Sequence, residues 1–123
     1  LENTDHRIVG FLSSRTGTIE PLVLRSGSEH IEITGRYVLA VDDGNAYLEA
    51  GLTGLGVIAL PTYMAAKHRA SGALIPLFEQ WRISPMPLYL AFPPNRHVNA
   101  KLRVFIDWIV ELMQKHVPNS NNK

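Results

Sequence analysis

The sequence predicts an α/β fold. Short apolar runs bounded by turn residues alternate with three helical segments. An Asp-Asp-Gly-Asn junction marks the point where the period switches from strand to helix. The third observation is composition: 46% of the 123 residues are hydrophobic and 19% charged, enough for one domain with a core.

Arg7-Ile8-Val9-Gly10-Phe11 is a short apolar run after a polar start and reads as a buried strand. Ser13-Ser14-Arg15-Thr16-Gly17 is a loop. Leu22–Arg25 and His30–Thr34 flank Ser26-Gly27-Ser28-Glu29 and read as a hairpin, the second arm alternating apolar and polar residues. Tyr37–Val41 is another strand. Asp at the N-cap accepts from an otherwise unpaired backbone N–H, so Asp42-Asp43-Gly44-Asn45 opens a helix that Gly54 stops.

Val57–Leu60 is expected as a short apolar strand ended by Pro61. Thr62 is expected to cap a second helix running to Ser71, with Gly72 as its stop signal. Leu74–Leu77 and Leu88–Phe92 are further strand candidates, the latter bracketed by prolines. Asn99 caps the clearest helix, with Leu102, Phe105, Ile106, Ile109, Leu112 and Met113 on one stripe. Pro118 ends it before a polar tail, residues 119–123.

Charge and composition exclude several classes. Twelve Lys+Arg against eleven Asp+Glu leave a net charge of +1, scattered rather than clustered, so this segment is not expected to hold nucleic acid by itself. Without cysteine there is no disulfide framework and no thiolate zinc site, which fits a reducing cytoplasm. No basic segment followed by an apolar run opens the chain, so a signal peptide is not expected. The longest uncharged stretch, Ala50–Ala66, is about 17 residues and is broken by three glycines and Pro61, so it does not read as a membrane span.

The motifs do not assemble an enzyme. Gly51-Leu52-Thr53-Gly54-Leu55-Gly56 resembles a phosphate loop only in composition. Such loops follow a strand and open a helix, whereas this one ends a helix and opens a strand; helix stop and close packing is the better reading. His6, His30, His68, His97 and His116 lack metal-ligand spacing, and Ser13 and Ser14 lack a nucleophile elbow. No catalytic residue, metal or cofactor is expected. Two loops are candidates for binding: Phe11, Leu12, Ser13 and Ser14, and the Val41–Asn45 turn. Both lie at carboxyl ends of predicted strands, the edge where open α/β sheets place ligands.

In order and spacing, the segments from Leu1 to about Met113 resemble the C-terminal part of the effector-binding domain of LysR-type bacterial transcriptional regulators. The matching segments are Arg7–Phe11 with Ser14-Arg15-Thr16-Gly17, then Val41–Ala46, Ala50–Pro61 and Ala70–Leu77, and finally Pro87–His97 and Arg103–Asp107. The resemblance implies a two-lobed, periplasmic-binding-protein-like (type 2) fold with a small-molecule effector in the interlobe cleft. This chain would supply the second lobe (residues 1–86), then the return strand and C-terminal helix of the first lobe (residues 87–118).

Carried over residue by residue, Phe11, Leu12, Ser13 and Ser14 match the second-lobe cleft loop. Asp42, Asp43 and Gly44 match the helix N-terminus facing the cleft. The family often has Asn where Asp42 stands; two carboxylates at this point remove an automatic preference for an anionic effector. Promoter DNA would be read by an N-terminal helix-turn-helix domain that these residues do not include. A cytoplasmic homo-oligomer with no membrane partner is expected. The alternative within the same fold is a solute-binding protein working in transport.

Overall fold

A computed structural model of the chain describes residues 6–85, 89–92 and 99–116. The chain divides into two compact units, Leu1–Pro85 and Met86–Lys123. The first contains β1 (Arg7–Phe11), β2 (Leu22–Ser26), β3 (Glu29–Ile33), β4 (Arg36–Val41), α1 (Gly44–Leu52), α2 (Thr62–Ala70) and β5 (Arg82–Ile83). The second contains α3 (Ala100–His116). The fold is mixed α/β, as the sequence predicts.

β1 organises the first unit. Adjacent side chains on a strand point to opposite faces, and here both faces are covered. Ile8 packs with Leu24 and Ile33, flanked by Leu22 and Trp81. Val9 packs with Tyr47 and Ala50, flanked by Phe11, Val41, Ile58 and Leu60. Coverage on both sides explains why the strand reads as an unbroken apolar run rather than an alternating one. Burying each of these two side chains is worth about 1.5–3 kcal/mol.

The partners of β1 come from distant sequence. β4 pairs with it in parallel from Arg7↔Arg36 to Phe11↔Val41, with a register shift between Ile8 and Val9. On the other side Val57 forms a single parallel bridge to Ile8. The Val57 N–H donates to the Arg7 carbonyl at 2.9 Å and the Val9 N–H to the Val57 carbonyl at 3.0 Å. The expected Val57–Leu60 strand stops after this bridge. The next ladder bond would run from the Ala59 N–H to the Val9 carbonyl, but the Tyr47 hydroxyl accepts from the former at 3.0 Å and donates to the latter at 3.2 Å.

The hairpin forms where expected, closing on the Ser26↔Glu29 pair, and β5 joins its other side in the order β3-β2-β5. Ile33 is buried; Ile31, on the same face but nearer the turn, remains exposed. The Arg82–Ile83 strand is too short for a period to announce it. Leu74–Leu77 forms no strand, nor does 89–92, the described part of the Leu88–Phe92 candidate.

The helix ends follow capping chemistry. Asp43, in extended backbone, accepts from the Asn45 and Ala46 N–H groups at 3.0 and 2.9 Å. At the other end the Thr53 hydroxyl donates to the Glu49 carbonyl. In α2 the N-cap is Pro61, without a side-chain bond, rather than Thr62, which is the first helical residue. Lys67, His68 and Arg69 in its last turn complement the carbonyl end of the helix dipole.

In the second unit, Asn99 Oδ1 accepts the Leu102 N–H at 2.8 Å, the expected cap of α3. Leu102, Ile106, Ile109, Leu112 and Met113 are half-buried, whereas Phe105 is exposed. Pro118 and the tail lie outside the described residues.

Candidate functional site

The parallel pairing of β1 with β4 determines which loops meet. Because the strands end in register at Phe11↔Val41, the Phe11–Ser14 and Asp42–Gly44 segments leave the sheet side by side at one edge. A bond from the Leu12 N–H to the Val41 carbonyl, 2.7 Å, ties them together at their roots. All seven residues singled out by sequence thus stand at the carboxyl edge of two neighbouring parallel strands, beside the N-terminus of α1.

The first loop is a tight, internally bonded turn. Leu12 bridges Ile19 antiparallel. The Glu20 N–H donates to the Phe11 carbonyl at 2.8 Å and the Ser13 N–H to the Thr18 carbonyl at 2.9 Å. Gly17 N–H closes the tip on the Ser13 carbonyl at 2.8 Å. The Thr16 and Thr18 hydroxyls are 2.8 Å apart and satisfy each other. The Ser13 hydroxyl, half-buried, and the Ser14 hydroxyl, exposed, have no hydrogen-bond partner among the described residues. They offer two donor–acceptor groups on a rigid support.

Phe11 has a different place from its neighbours. Its ring meets that of Tyr47 edge-on at 5.4 Å and joins the cluster around Val9. It is a wall of the core that supports the loop.

The second segment is governed by capping. Asp43 occupies two of the first N–H groups of α1, leaving that of Gly44, which has no intrahelical acceptor. Asp42 and Asp43 are exposed, so this side of the edge presents carboxylate charge and one free N–H. Met64 of α2 lies 3.8 Å from where a Gly44 Cβ would stand, which bounds the segment on its other flank.

Gly51–Gly56 lies elsewhere and has a structural explanation. Gly54 takes φ +75° just after the cap residue of α1, and the Leu55 N–H returns to the Ala50 carbonyl at 3.1 Å. A Cβ on Gly56 would stand 2.6 Å from the Arg7 carbonyl oxygen, so the close approach to β1 requires glycine. Among the described residues no group of three His, Cys, Asp or Glu could hold a metal ion. His97 lies outside the described residues, and of His116 only the backbone is described. No helix among the described residues is long and apolar enough to cross a membrane.

Sequence reasoning did not single out Tyr47. Its signal is a tyrosine on the apolar face of a helix, since a buried phenol needs a polar partner.

Residues 3–114 match the family model described as the LysR substrate binding domain. The chain belongs to this family. It is 26% identical over 93 residues, 76% of its length, to an HTH-type transcriptional repressor of Pseudomonas aeruginosa, covering 29% of that protein. It is 30% identical over 80 residues, 65% of its length, to the uncharacterized HTH-type transcriptional regulator YhjC of Escherichia coli, covering 27% of it. Similarity to the HTH-type transcriptional regulator PtxR of P. aeruginosa is 33% over 60 residues, 49% of this chain and 19% of that protein. The chain thus spans less than a third of the length of these relatives.

Proposed function

We propose that the chain is part of the ligand-sensing domain of a LysR-type transcriptional regulator, with the effector held against the Phe11–Ser14 and Asp42–Gly44 segments. The observation that carries this reading is the parallel β1–β4 pair, which brings both loops and a helix N-terminus to one sheet edge. The two unpartnered serine hydroxyls give that edge its polar contacts.

In this reading residues 1–86 are the second lobe of a periplasmic-binding-protein-like fold, and residues 87–118 return to the first lobe. The effector sits between the lobes and biases the angle between them, and with it the arrangement of subunits on promoter DNA. DNA is read by a domain outside this chain, in a cytoplasmic homo-oligomer. The names of the relatives, a repressor and two regulators, favour sensing over both catalysis and transport.

The test uses the intact regulator and an effector selected by thermal-shift screening, since binding raises apparent stability. Calorimetry on Ser13→Ala and Ser14→Ala should show each lost hydrogen bond weakening affinity by about 0.5–1.5 kcal/mol. Gly44→Val should weaken it further by blocking approach to the free N–H. If all three variants fold and bind as tightly as the parent, the effector site is elsewhere.

A further inference from the structure

The first unit contains a concavity distinct from the strand-end loops. A groove of about 730 Å³ runs from the start of β1 and the end of α1, along the extended segment 56–60, to the Ala73–Phe78 segment. Its floor is the apolar face of the hairpin sheet, Leu22, Leu24 and Ile83, with Trp81 alongside. The volume falls within the range of small-molecule sites. One end touches Arg7, the first residue of β1, and Gly51 and Gly54 at the end of α1. Phe11 and Gly44 stand at the opposite ends of those same elements.

Two features set this groove apart from a packing seam. Its rim is apolar yet uncovered, with Ile75 80% and Leu77 54% exposed. Phe78, also on the rim, is held at φ +55°, a left-handed conformation that is unfavourable for a bulky residue. The second feature is charge. Among the described residues, the ionisable ones lining the groove are His6, Arg7 and Arg69, and no described carboxylate lines it. Arg69 is matched by Glu79 at 3.2 Å, whereas the Arg7 side chain has no partner among the described residues. An apolar trough with one uncompensated guanidinium complements a molecule with an apolar body and a single negative head.

We propose that this groove is a second small-molecule site that takes a free amphipathic monocarboxylate, its hydrocarbon body along the Leu24–Trp81 floor and its carboxylate at the Arg7 end. The site is independent of the effector loops and stands or falls separately from them.

Octanoate and its neutral counterpart octan-1-ol, titrated into the 123-residue chain, provide the test. Amide chemical shifts should move in 56–60 and 73–83 while 11–14 and 42–44 stay still. Octanoate should bind about tenfold more tightly than octan-1-ol, the size of one charge-assisted hydrogen bond. Arg7→Gln should bring octanoate to the level of the alcohol. Ala73→Phe, at an exposed position on the groove wall, should abolish binding of both ligands; Ala65→Met fills the groove from α2 if that variant does not fold. The proposal is overturned by an absence of shifts up to the solubility limit. Shifts centred on Phe11–Ser14, or equal affinity for acid and alcohol, would overturn it as well.

Discussion

Tyr47 stands in for a backbone bond of Ala59. Its hydroxyl takes the Ala59 N–H at 3.0 Å and passes a proton donor on to the Val9 carbonyl at 3.2 Å, so a side chain from α1 is spliced into a β-ladder. The same ring packs edge-on against Phe11. Helix, sheet and the root of the Phe11–Ser14 loop therefore share one residue.

Tyr47→Phe keeps the ring contacts and removes both hydrogen bonds. The Val9 carbonyl and Ala59 N–H then lose their partner in a region shielded from water. The expected cost is about 1–3 kcal/mol, since stranding a buried polar group costs more than the bond was worth. Urea unfolding should show it, with a change below about 0.5 kcal/mol, the scale of an ordinary surface substitution, counting against the splice.

Alkaline pH should destabilise the parent through the same group. Burial pushes the Tyr47 phenol above its usual value of 10.0, with the nearby Tyr37 adding to the shift and the Ala59 bond opposing it. A folded-state value raised above the unfolded one means that the native state holds the proton longer. Its stabilising contribution is complete below the unfolded value and is lost as pH rises through the folded one. Thermal unfolding should therefore lose midpoint more steeply above pH 10.0 in the parent than in Tyr47→Phe.

Two glycines of one motif should respond differently to alanine. At Gly56 the new Cβ meets the Arg7 backbone, which cannot move without breaking the bridge from β1 to Val57. At Gly51 it meets Ile58 Cδ1 and Cγ1, atoms of a side chain that can shift where a bridged strand backbone cannot. Gly56→Ala should cost about 1–3 kcal/mol, the range for overpacking, and Gly51→Ala less. Equal losses in denaturant unfolding would contradict this ranking.

The neighbouring aspartates should also separate. Asp43→Ala removes the α1 cap and should cost about 0.5–2 kcal/mol, while Asp43→Asn, which keeps the acceptor oxygen, should restore most of it. Asp42→Ala should leave stability within about 0.5 kcal/mol of the parent. Guanidinium melts of the three variants check the order.

What was legible in the sequence was local. The apolar run of β1, the Gly27-Ser28 turn and an aspartate cap from the Asp42-Asp43 pair each carry their signal within a few residues; each forms where expected, and the structure selects Asp43 as the cap. Failures arose where a distant partner decided. Val57–Leu60 has the composition of a strand, yet Tyr47, ten residues upstream of Val57, takes its second ladder bond. Arg82–Ile83 is a strand only because β2 has a free side for it. Both candidate binding loops could be placed at strand ends from sequence. That they emerge as neighbours depends on the β1–β4 register, which no local pattern encodes. Phe11, at the root of the first loop, packs edge-on against Tyr47, a contact with a helix 36 residues further on that no local pattern encodes.

The placement of Ile8 and Val9 back to back has a consequence for how this chain tolerates change. A substitution at position 8 is felt by the hairpin, one at position 9 by α1, and neither cluster shares a buried side chain with the other. The two sides of β1 can drift in sequence as separate modules, each repacking on its own. Only the strand backbone is held in common, so its path, rather than any one side chain, is what both halves constrain.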